Sequence, residues 1–295
     1  MSMPTIDWNA VWRQIQSEKQ SPARDPEFWD KRAPSFAKHA AASDYIDEFM
    51  AIMKPQPDWS VLDVGCAAGT LAVPLATSVK RITAMDPSAV MRALLKERCD
   101  QAGIDNIAIV DGRWEDDWDE LGIGMHDVAV ASRSLMVEDL QKAILKLQRH
   151  TRRRIYIATL VGDGPRDRKI IEAVGRTFQP GPDYSIAFNL LRQMDIFANV
   201  TFICSQNEKS YEDAADALNS MRWMVQDITA AEEKKLEDYL RRTLVQENGR
   251  WRLPYRRVVR WAVLWWDKDC ASDRPQDIGP PAGQNSTPRP RKDGR

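Results

Sequence analysis

Two aspartates stand at the ends of neighbouring apolar segments, where carboxylates could hold a small polar ligand. Asp63 lies in "VLDVGCAAGT", residues 61–70, in which a short apolar run enters a turn of glycine, alanine and cysteine. Asp86 ends the next apolar run, "RITAMD", 23 residues later. Ligands of open parallel sheets bind beyond the carboxyl ends of the strands. The small residues let a ligand approach the main chain, and Asp86 could accept hydrogen bonds from ribose hydroxyls.

The spacing of the glycines separates the candidate nucleotide ligands. A nicotinamide or flavin site has the pattern G-x-G-x-x-G, but a count from Gly65 finds Ala67 and Thr70 where the later glycines should stand. The acid before the first glycine would also repel a pyrophosphate. It suits a ligand that carries an ammonium group and a sulfonium, so a nucleotide-dependent oxidoreductase is disfavoured.

Four segments in order resemble the motifs of class I S-adenosylmethionine-dependent methyltransferases. "VLDVGCAAGTLAVPLA" resembles the first motif, D-x-G-x-G-x-G, with Ala67 in place of the central glycine. "ITAMDPS", "NIAIVDGRWED" and "HDVAVASRSL" resemble the second, third and fourth motifs. The resemblance covers residues 60–160 and, less closely, the long last strand. It implies S-adenosylmethionine as the cofactor, with S-adenosylhomocysteine as the product.

The resemblance also implies cofactor-binding residues at the matching positions. Asp63 would lie near the methionine ammonium, and Asp86 would hold the ribose hydroxyls. Either Asp111 or Glu115 would meet the adenine amino group. The other positions implied in the turns after the strands are Gly65, Cys66, Ala67, Gly69, Pro87, Gly112, Arg113, Trp114 and Ser132.

Residues that could contact a methyl acceptor are found in three places. The N-terminal "FWDKRAPSF" resembles a segment that many small-molecule members of the family fold over the cofactor, and Arg133 follows the fourth predicted strand. Core packing or a place on the surface is an equally ordinary interpretation of each such side chain. Besides Arg133, the candidates are Trp29, Arg32, Phe36 and His39 near the N-terminus, and Tyr184 and Arg192 on a later helix.

The implied reaction is an in-line displacement of a methyl group from sulfonium. The protein need only align donor and acceptor and exclude water, and a general base is optional. No residue is therefore assigned a catalytic role. His126 is expected at the far end of the fourth strand, and His150 is expected on the surface at a helix end.

The order of elements predicts an α/β fold. Strands alternate with helices from residue 60 onwards, which favours a doubly wound, mostly parallel, seven-stranded sheet of the Rossmann-like methyltransferase type. The predicted organisation is an N-terminal helical lid at 1–55 and a methyltransferase domain at 56–268. Helical caps are expected at about 162–195 and 210–247, and the polar, proline-rich segment 270–295 is expected to be a disordered tail.

Composition narrows the function classes. The chain has 295 residues, 43% hydrophobic and 29% charged, with a formal net charge of −1, so a nucleic-acid partner is disfavoured. No cysteine spacing suits a zinc site, and no metal is predicted. No apolar run is long enough for a membrane span, and the absence of an apolar leader favours a cytoplasmic location. The sequence does not indicate the oligomeric state.

The segment after the fourth strand indicates which methyl acceptors are disfavoured. "SRSL" stands there instead of the asparagine-proline-proline-aromatic signature of methyltransferases that act on amino groups of bases or glutamine. The favoured function is methyl transfer to a small-molecule acceptor. The alternatives are methylation of RNA or protein, and a non-catalytic protein that binds S-adenosylmethionine.

Overall fold

The central element of the fold is one seven-stranded sheet. The computed structural model describes residues 6–19, 25–30, 33, 44–207 and 209–268. The strands of the sheet are β1 Ser60–Val64, β2 Arg81–Asp86, β3 Ile107–Asp111, β4 His126–Ser132, β5 Thr151–Leu160, β6 Asn199–Asn207 and β9 Arg257–Asp267. A separate hairpin consists of β7 Val245–Glu247 and β8 Arg250–Arg252.

The strands follow the order β3-β2-β1-β4-β5-β9-β6. β1 to β5 pair in parallel, whereas β9 lies antiparallel between β5 and β6. All five residues of β1 are buried, as expected for a parallel strand covered on both faces. The predicted fold class, a doubly wound and mostly parallel seven-stranded sheet, is therefore confirmed.

Helices cover both faces of the sheet, and alternate residues of each strand point to the two layers. Leu62 and Val64 belong to one buried cluster, whereas Val61 belongs to the other. The first layer contains α1 Trp8–Lys19, α5 Leu140–Arg149 and α7 Tyr184–Gln193. The second layer contains α2 Asp44–Met53, α3 Ala72–Ala76 and α4 Ala89–Ala102.

A third buried cluster lies outside the two sheet layers. It joins α6 Arg168–Ala173, α8 Ala214–Met221, α9 Ala230–Thr243 and the β7–β8 hairpin. Leu236 and Leu240 of α9 are fully buried in it. We call these helices and the hairpin the distal unit. The distal unit accounts for most of the cap that was predicted at 210–247.

Two parts of the predicted organisation differ from the structure. α7 falls in the predicted cap at 162–195, yet its buried residues Ile186 and Leu190 pack in the first sheet layer. α1 falls in the predicted lid, yet the indole of Trp12 is buried in the same layer and donates a 3.0 Å hydrogen bond to the Val137 carbonyl. Both helices are amphipathic, and sequence alone did not show which surface their apolar stripes cover. The predicted tail at 270–295 lies outside the described residues.

The expectation that His150 lies on the surface is wrong. His150 is only 5% exposed, and its Nδ1 lies 2.9 Å from the Ile123 carbonyl oxygen. The ring packs against the indole of Trp118, which explains why a polar helix end is buried here. His126 begins β4, at the opposite end of the strand from the site described below, as predicted.

Candidate functional site

The turn after β1 has a backbone that only small residues permit. Gly65, Ala67 and Gly69 have φ angles of 73°, 50° and 77°, in the left-handed region. A Cβ added to Gly65 would lie 2.4 Å from Cβ of Ser134, and one added to Gly69 would lie 2.4 Å from Cδ1 of Leu95. We call residues 65–69 the glycine turn. It leaves the main chain open to a ligand on one side and lets α4 pack closely on the other.

Asp63 lies beneath this turn and is almost completely buried. Its side chain is 2% exposed, and Oδ2 has no hydrogen-bond partner among the described residues. Burial raises the pKa of this carboxyl to about 7, and the nearby carboxyl of Asp86 adds to the effect. A buried carboxylate oxygen without a donor is costly, so the site favours a cationic hydrogen-bond donor.

Asp86 connects the ends of β1 and β2. Its Oδ2 accepts a 2.8 Å hydrogen bond from the Ala67 backbone N–H, and Oδ1 accepts a 2.9 Å bond from the Ser88 N–H. Burial is the largest influence on this group and raises the pKa of the Asp86 carboxyl. Each carboxylate oxygen can accept more than one hydrogen bond, so Asp86 can hold the turn and still accept from a ligand hydroxyl.

Of the two acids near the turn after β3, one lines the cavity and the other does not. Asp111 forms a 2.7 Å ion pair with Arg92 and is largely exposed. Glu115, by contrast, lines the cavity described below. The indole of Trp114 donates a 2.9 Å hydrogen bond to the Ser134 carbonyl, which joins this turn to the segment after β4. Of the two acids left open by the sequence, Glu115 is the one at the cavity.

Part of the N-terminal segment packs on the glycine turn. Ala33 is fully buried against Ala68 of the turn. The Asp30 carboxylate accepts a hydrogen bond from the Ser88 hydroxyl, and Trp29 lines the cavity. The other three candidates of this region lie outside the described residues: Arg32, Phe36 and His39.

A cavity of about 1160 Å³ extends from the glycine turn to the distal unit. It reaches the hairpin residues Arg250 and Arg252, and Tyr211, which pairs with the hairpin as an isolated bridge. Gly69 is not among its lining residues, because this glycine faces α4 instead. The other predicted cofactor positions all line the cavity: Asp63, Gly65, Cys66, Ala67, Asp86, Pro87, Gly112, Arg113, Trp114 and Ser132.

Arg133 follows β4 and lies on an aromatic surface within the same cavity. Its guanidinium carbon lies 4.1 Å from the ring centroid of Tyr45 and 5.5 Å from that of Trp261. The Tyr45 hydroxyl is 2.6 Å from the Ser132 hydroxyl, which holds the tyrosine ring in place. We call Arg133, Tyr45 and Trp261 the Arg133 platform. Sequence reasoning found Arg133 but missed both rings, because α2 and β9 are far from β4 in sequence.

The structure places Tyr184 and Arg192 outside the lining of the cavity. The Tyr184 ring packs edge-on against Phe202 of β6, and the Arg192 guanidinium lies 3.8 Å from the ring centroid of Phe197. Neither residue lines the cavity as the described residues define it. Both belong to α7, which packs in the first sheet layer, and their contact with an acceptor stays a prediction.

Comparison with known proteins identifies the family. A family described as "Methyltransferase domain" matches residues 61–154, which include the glycine turn. A protein of Haemophilus influenzae, described as uncharacterized, is 32% identical over 249 residues, which are 82% of this chain and 89% of that protein. The chain belongs to the class I S-adenosylmethionine-dependent methyltransferases, as the four sequence motifs indicated.

Two solved structures share the fold at low identity. BH2331 of Bacillus halodurans, a proposed methyltransferase, has a TM-score of 0.54 and 13% identity over 76% of this chain and 98% of that one. YcgJ of Bacillus subtilis has a TM-score of 0.52 and 13% identity over 76% of this chain and 97% of that one. These similarities concern the fold alone.

The described residues contain no group of three or more histidine, cysteine, aspartate or glutamate side chains placed to hold a metal ion. No helix within the same residues is long and apolar enough to cross a lipid bilayer.

Proposed function

We propose that this protein transfers a methyl group from S-adenosylmethionine to a small-molecule acceptor bound between the glycine turn and the distal unit. The observation that carries the proposal is the buried Oδ2 of Asp63 beneath a left-handed turn, an oxygen without a hydrogen-bond partner in the described part of the chain. The methionine end of the cofactor bears an ammonium group, which is the kind of donor that this oxygen lacks.

The residues around the turn fit the remaining parts of the cofactor. Asp86 would accept from the ribose hydroxyls, and the exposed backbone of residues 65–67 would lie beneath the ribose and methionine. Glu115 lines the cavity beside Trp114, where it could accept from the adenine amino group. The cofactor supplies a methyl group that is already activated by the positive charge on sulfur.

The protein itself must align the methyl donor with the acceptor and exclude water from them. In the transfer, the sulfur–methyl bond breaks as the bond to the acceptor atom forms, and the bonding electron pair returns to sulfur. The acceptor's proton leaves to solvent or to a nearby base. Alignment of reacting groups can contribute about 7–11 kcal/mol. The platform after β4 and the N-terminal Trp29 could both position an acceptor here.

The size and enclosure of the cavity favour a small acceptor. Pockets for one small ligand usually measure about 300–1,000 Å³. A volume of about 1160 Å³ leaves room for an acceptor beside a cofactor. The lining of the cavity mixes basic side chains with nearly as many acidic ones, unlike the predominantly basic surface that RNA requires, which argues for a free small molecule.

Calorimetric titration with S-adenosylhomocysteine and S-adenosylmethionine, with NAD as a control, tests the cofactor assignment. We expect micromolar binding of the first two and none of NAD. Asp86→Asn should weaken binding at least tenfold, because the ribose loses a charged acceptor. Asp111→Asn is the matched control, since Asp111 is the register partner of Asp86 on β3 but pairs with Arg92.

The control should bind like the native chain. A folded native protein that binds neither adenosyl ligand would overturn the proposal. Binding of both ligands without methyl transfer to any acceptor in a broad small-molecule screen would favour the non-catalytic alternative.

A further inference from the structure

The Arg133 guanidinium is engaged only through its face. It lies over the Tyr45 ring and beside Trp261, contacts that a planar cation makes with aromatic rings. Among the described residues, no side chain or carbonyl accepts a hydrogen bond from the guanidinium, and no carboxylate pairs with it. Five N–H groups in the plane of the guanidinium are therefore available to a ligand.

The surroundings of the Arg133 guanidinium favour the binding of an anion. Arg133 is partly buried, and burial lowers the pKa of its guanidinium, although arginine remains charged in proteins. A buried charge without a counter-ion is costly. The planar fork of arginine matches the two oxygens of a carboxylate or phosphate. The side chain lines the cavity, so a ligand there can reach it.

Three of the six acids that line the cavity have other partners. Asp86 accepts from two backbone N–H groups. Asp167 accepts from the Tyr255 hydroxyl and lies 3.4 Å from Arg257, and Glu247 pairs with Arg252. Asp44, Asp63 and Glu115 also line the cavity, but among the described residues Tyr45 is the only titratable group whose charge affects the pKa of Arg133. We therefore expect a ligand to supply the counter-ion of Arg133.

The position of the platform along the sheet points to the acceptor rather than the cofactor. Asp63 and the glycine turn belong to β1, whereas Trp261 belongs to β9, three places further along the sheet. Adjacent strands lie about 4.8 Å apart, so β1 and β9 are separated by roughly 14 Å. The Arg133 guanidinium lies between them and contacts the β9 side.

From this we infer a substrate class: the methyl acceptor carries a carboxylate or phosphate group that binds the Arg133 guanidinium, while its carbon body packs against the Trp261 ring. The inference rests on the proposed function, which supplies the cofactor at the β1 end of the cavity. Arg133 is in this view a specificity residue, and Tyr45 and Ser132 position it.

The test uses probes that differ in charge but share a ring. Benzoate, phenyl phosphate and neutral benzamide are titrated into the full chain saturated with S-adenosylhomocysteine, and dissociation constants are measured by ligand-observed NMR. We expect at least one anion to bind about tenfold or more tightly than benzamide, because hydrogen bonds between charged groups are the stronger ones. The preferred anion distinguishes a carboxylate acceptor from a phosphate acceptor.

Three variants complete the test. Arg133→Gln should abolish the preference for the anion, whereas Arg133→Lys, which keeps the charge but loses the fork, should reduce it several-fold. Arg81→Gln is the control, because it removes the same charge at the start of β2, the end of the strand that lies away from the cavity. It should leave the preference for the anion unchanged. The lysine variant also provides a readout if the glutamine variant does not fold.

Separate titration of S-adenosylhomocysteine into each variant keeps the two proposals apart. No anion preference in the native chain, or a preference that survives Arg133→Gln, would overturn the inference. So would a large loss of S-adenosylhomocysteine affinity in Arg133→Gln, because Arg133 would then bind the carboxylate of the cofactor itself. If the native chain binds no S-adenosylhomocysteine, the proposed function fails, whatever the anions do.

Discussion

Asp63 shows how a buried acid can be prepared for a cationic ligand. Its pKa of about 7 exceeds the value of about 3.9 for aspartate in an unfolded chain. The folded protein therefore binds this proton more tightly than the unfolded chain does. As pH rises from about 4 to about 7, Asp63 ionises in the unfolded chain but keeps its proton in the fold, so the ligand-free fold becomes progressively less stable. An ammonium group placed at Oδ2 would reverse that penalty.

The first prediction concerns this carboxyl. Affinity for S-adenosylhomocysteine should fall as pH is lowered from 8 to 6, because protonated Asp63 cannot pair with the ammonium group. Asp63→Asn should weaken binding at pH 8 at least tenfold and flatten the pH profile. The same change should raise the melting temperature of the ligand-free protein at pH 8, since the buried charge is gone.

Calorimetry at several pH values and thermal unfolding measure these effects. Equal native affinity at pH 6 and pH 8 would show that the ionisation of Asp63 is not coupled to binding.

The second prediction concerns the glycine turn. Gly65→Ala places a Cβ 2.4 Å from Ser134 in a backbone with φ of 73°, so both crowding and the left-handed conformation oppose it. Crowding of this kind costs about 1–3 kcal/mol. Gly122→Ala is the control, because φ is 72° and nothing lies within 4 Å of the added Cβ.

The free energy of unfolding in urea should fall more for Gly65→Ala than for Gly122→Ala. Equal losses would mean that Ser134 moves away freely and that close contact does not shape the turn.

Local pattern predicted some site residues and could not predict others. Asp63, Asp86 and the glycine turn follow one another at strand ends, so topology alone brings them to one edge of the sheet. Tyr45 and Trp261 reach Arg133 from α2 and β9, and nothing in their own segments marks them as anything but core residues. Aromatic rings in amphipathic elements have many possible neighbours, and only tertiary packing selects one.

Asp167 connects α6 of the distal unit to the start of β9 in the main sheet, and it carries the third prediction. It caps α6 by accepting from the Lys169 N–H, and its Oδ2 accepts from the Tyr255 hydroxyl beside Arg257. Asp167→Asn should destabilise the protein by about 1.5–3 kcal/mol, because a buried charged acceptor is lost. Urea unfolding measures the change.

The exposed pair Asp163–Arg168 provides the control, since it joins the same acid and base types at the start of the same helix. Asp163→Asn should leave the midpoint of unfolding nearly unchanged. A control that destabilised the chain as much as Asp167→Asn would refute the special role of Asp167.

The β7–β8 hairpin was missed although its sequence contained a signal. α9 ends at Thr243, and the chain enters β7 directly after it, within the helical cap that was predicted at 210–247. Asn248 and Gly249 have φ angles of 50° and 75°, as expected for Asn-Gly in a two-residue hairpin turn. Each strand has only three residues, which is too short for alternation to be recognised.

Binding should affect the two ends of the cavity separately, which is the fourth prediction. S-adenosylhomocysteine alone should slow amide hydrogen exchange in residues 61–70, 84–90 and 111–116. Residues 209–252 should change little until an acceptor also binds, because the distal unit has its own buried cluster. Hydrogen exchange followed by mass spectrometry measures both regions. Protection of residues 209–252 by S-adenosylhomocysteine alone would contradict this separation.

The three buried clusters share no member. Substitutions inside the distal unit therefore cost packing energy mainly within that unit, and the strands that carry Asp63 and Asp86 keep their own support. A lineage could reshape the far end of the cavity by repacking α6, α8, α9 and the hairpin while the glycine turn and the Arg133 platform stayed intact. Under the proposed function, the size of the acceptor that fits can then evolve at a different pace from the sites that hold the methyl donor and the anionic group of the acceptor.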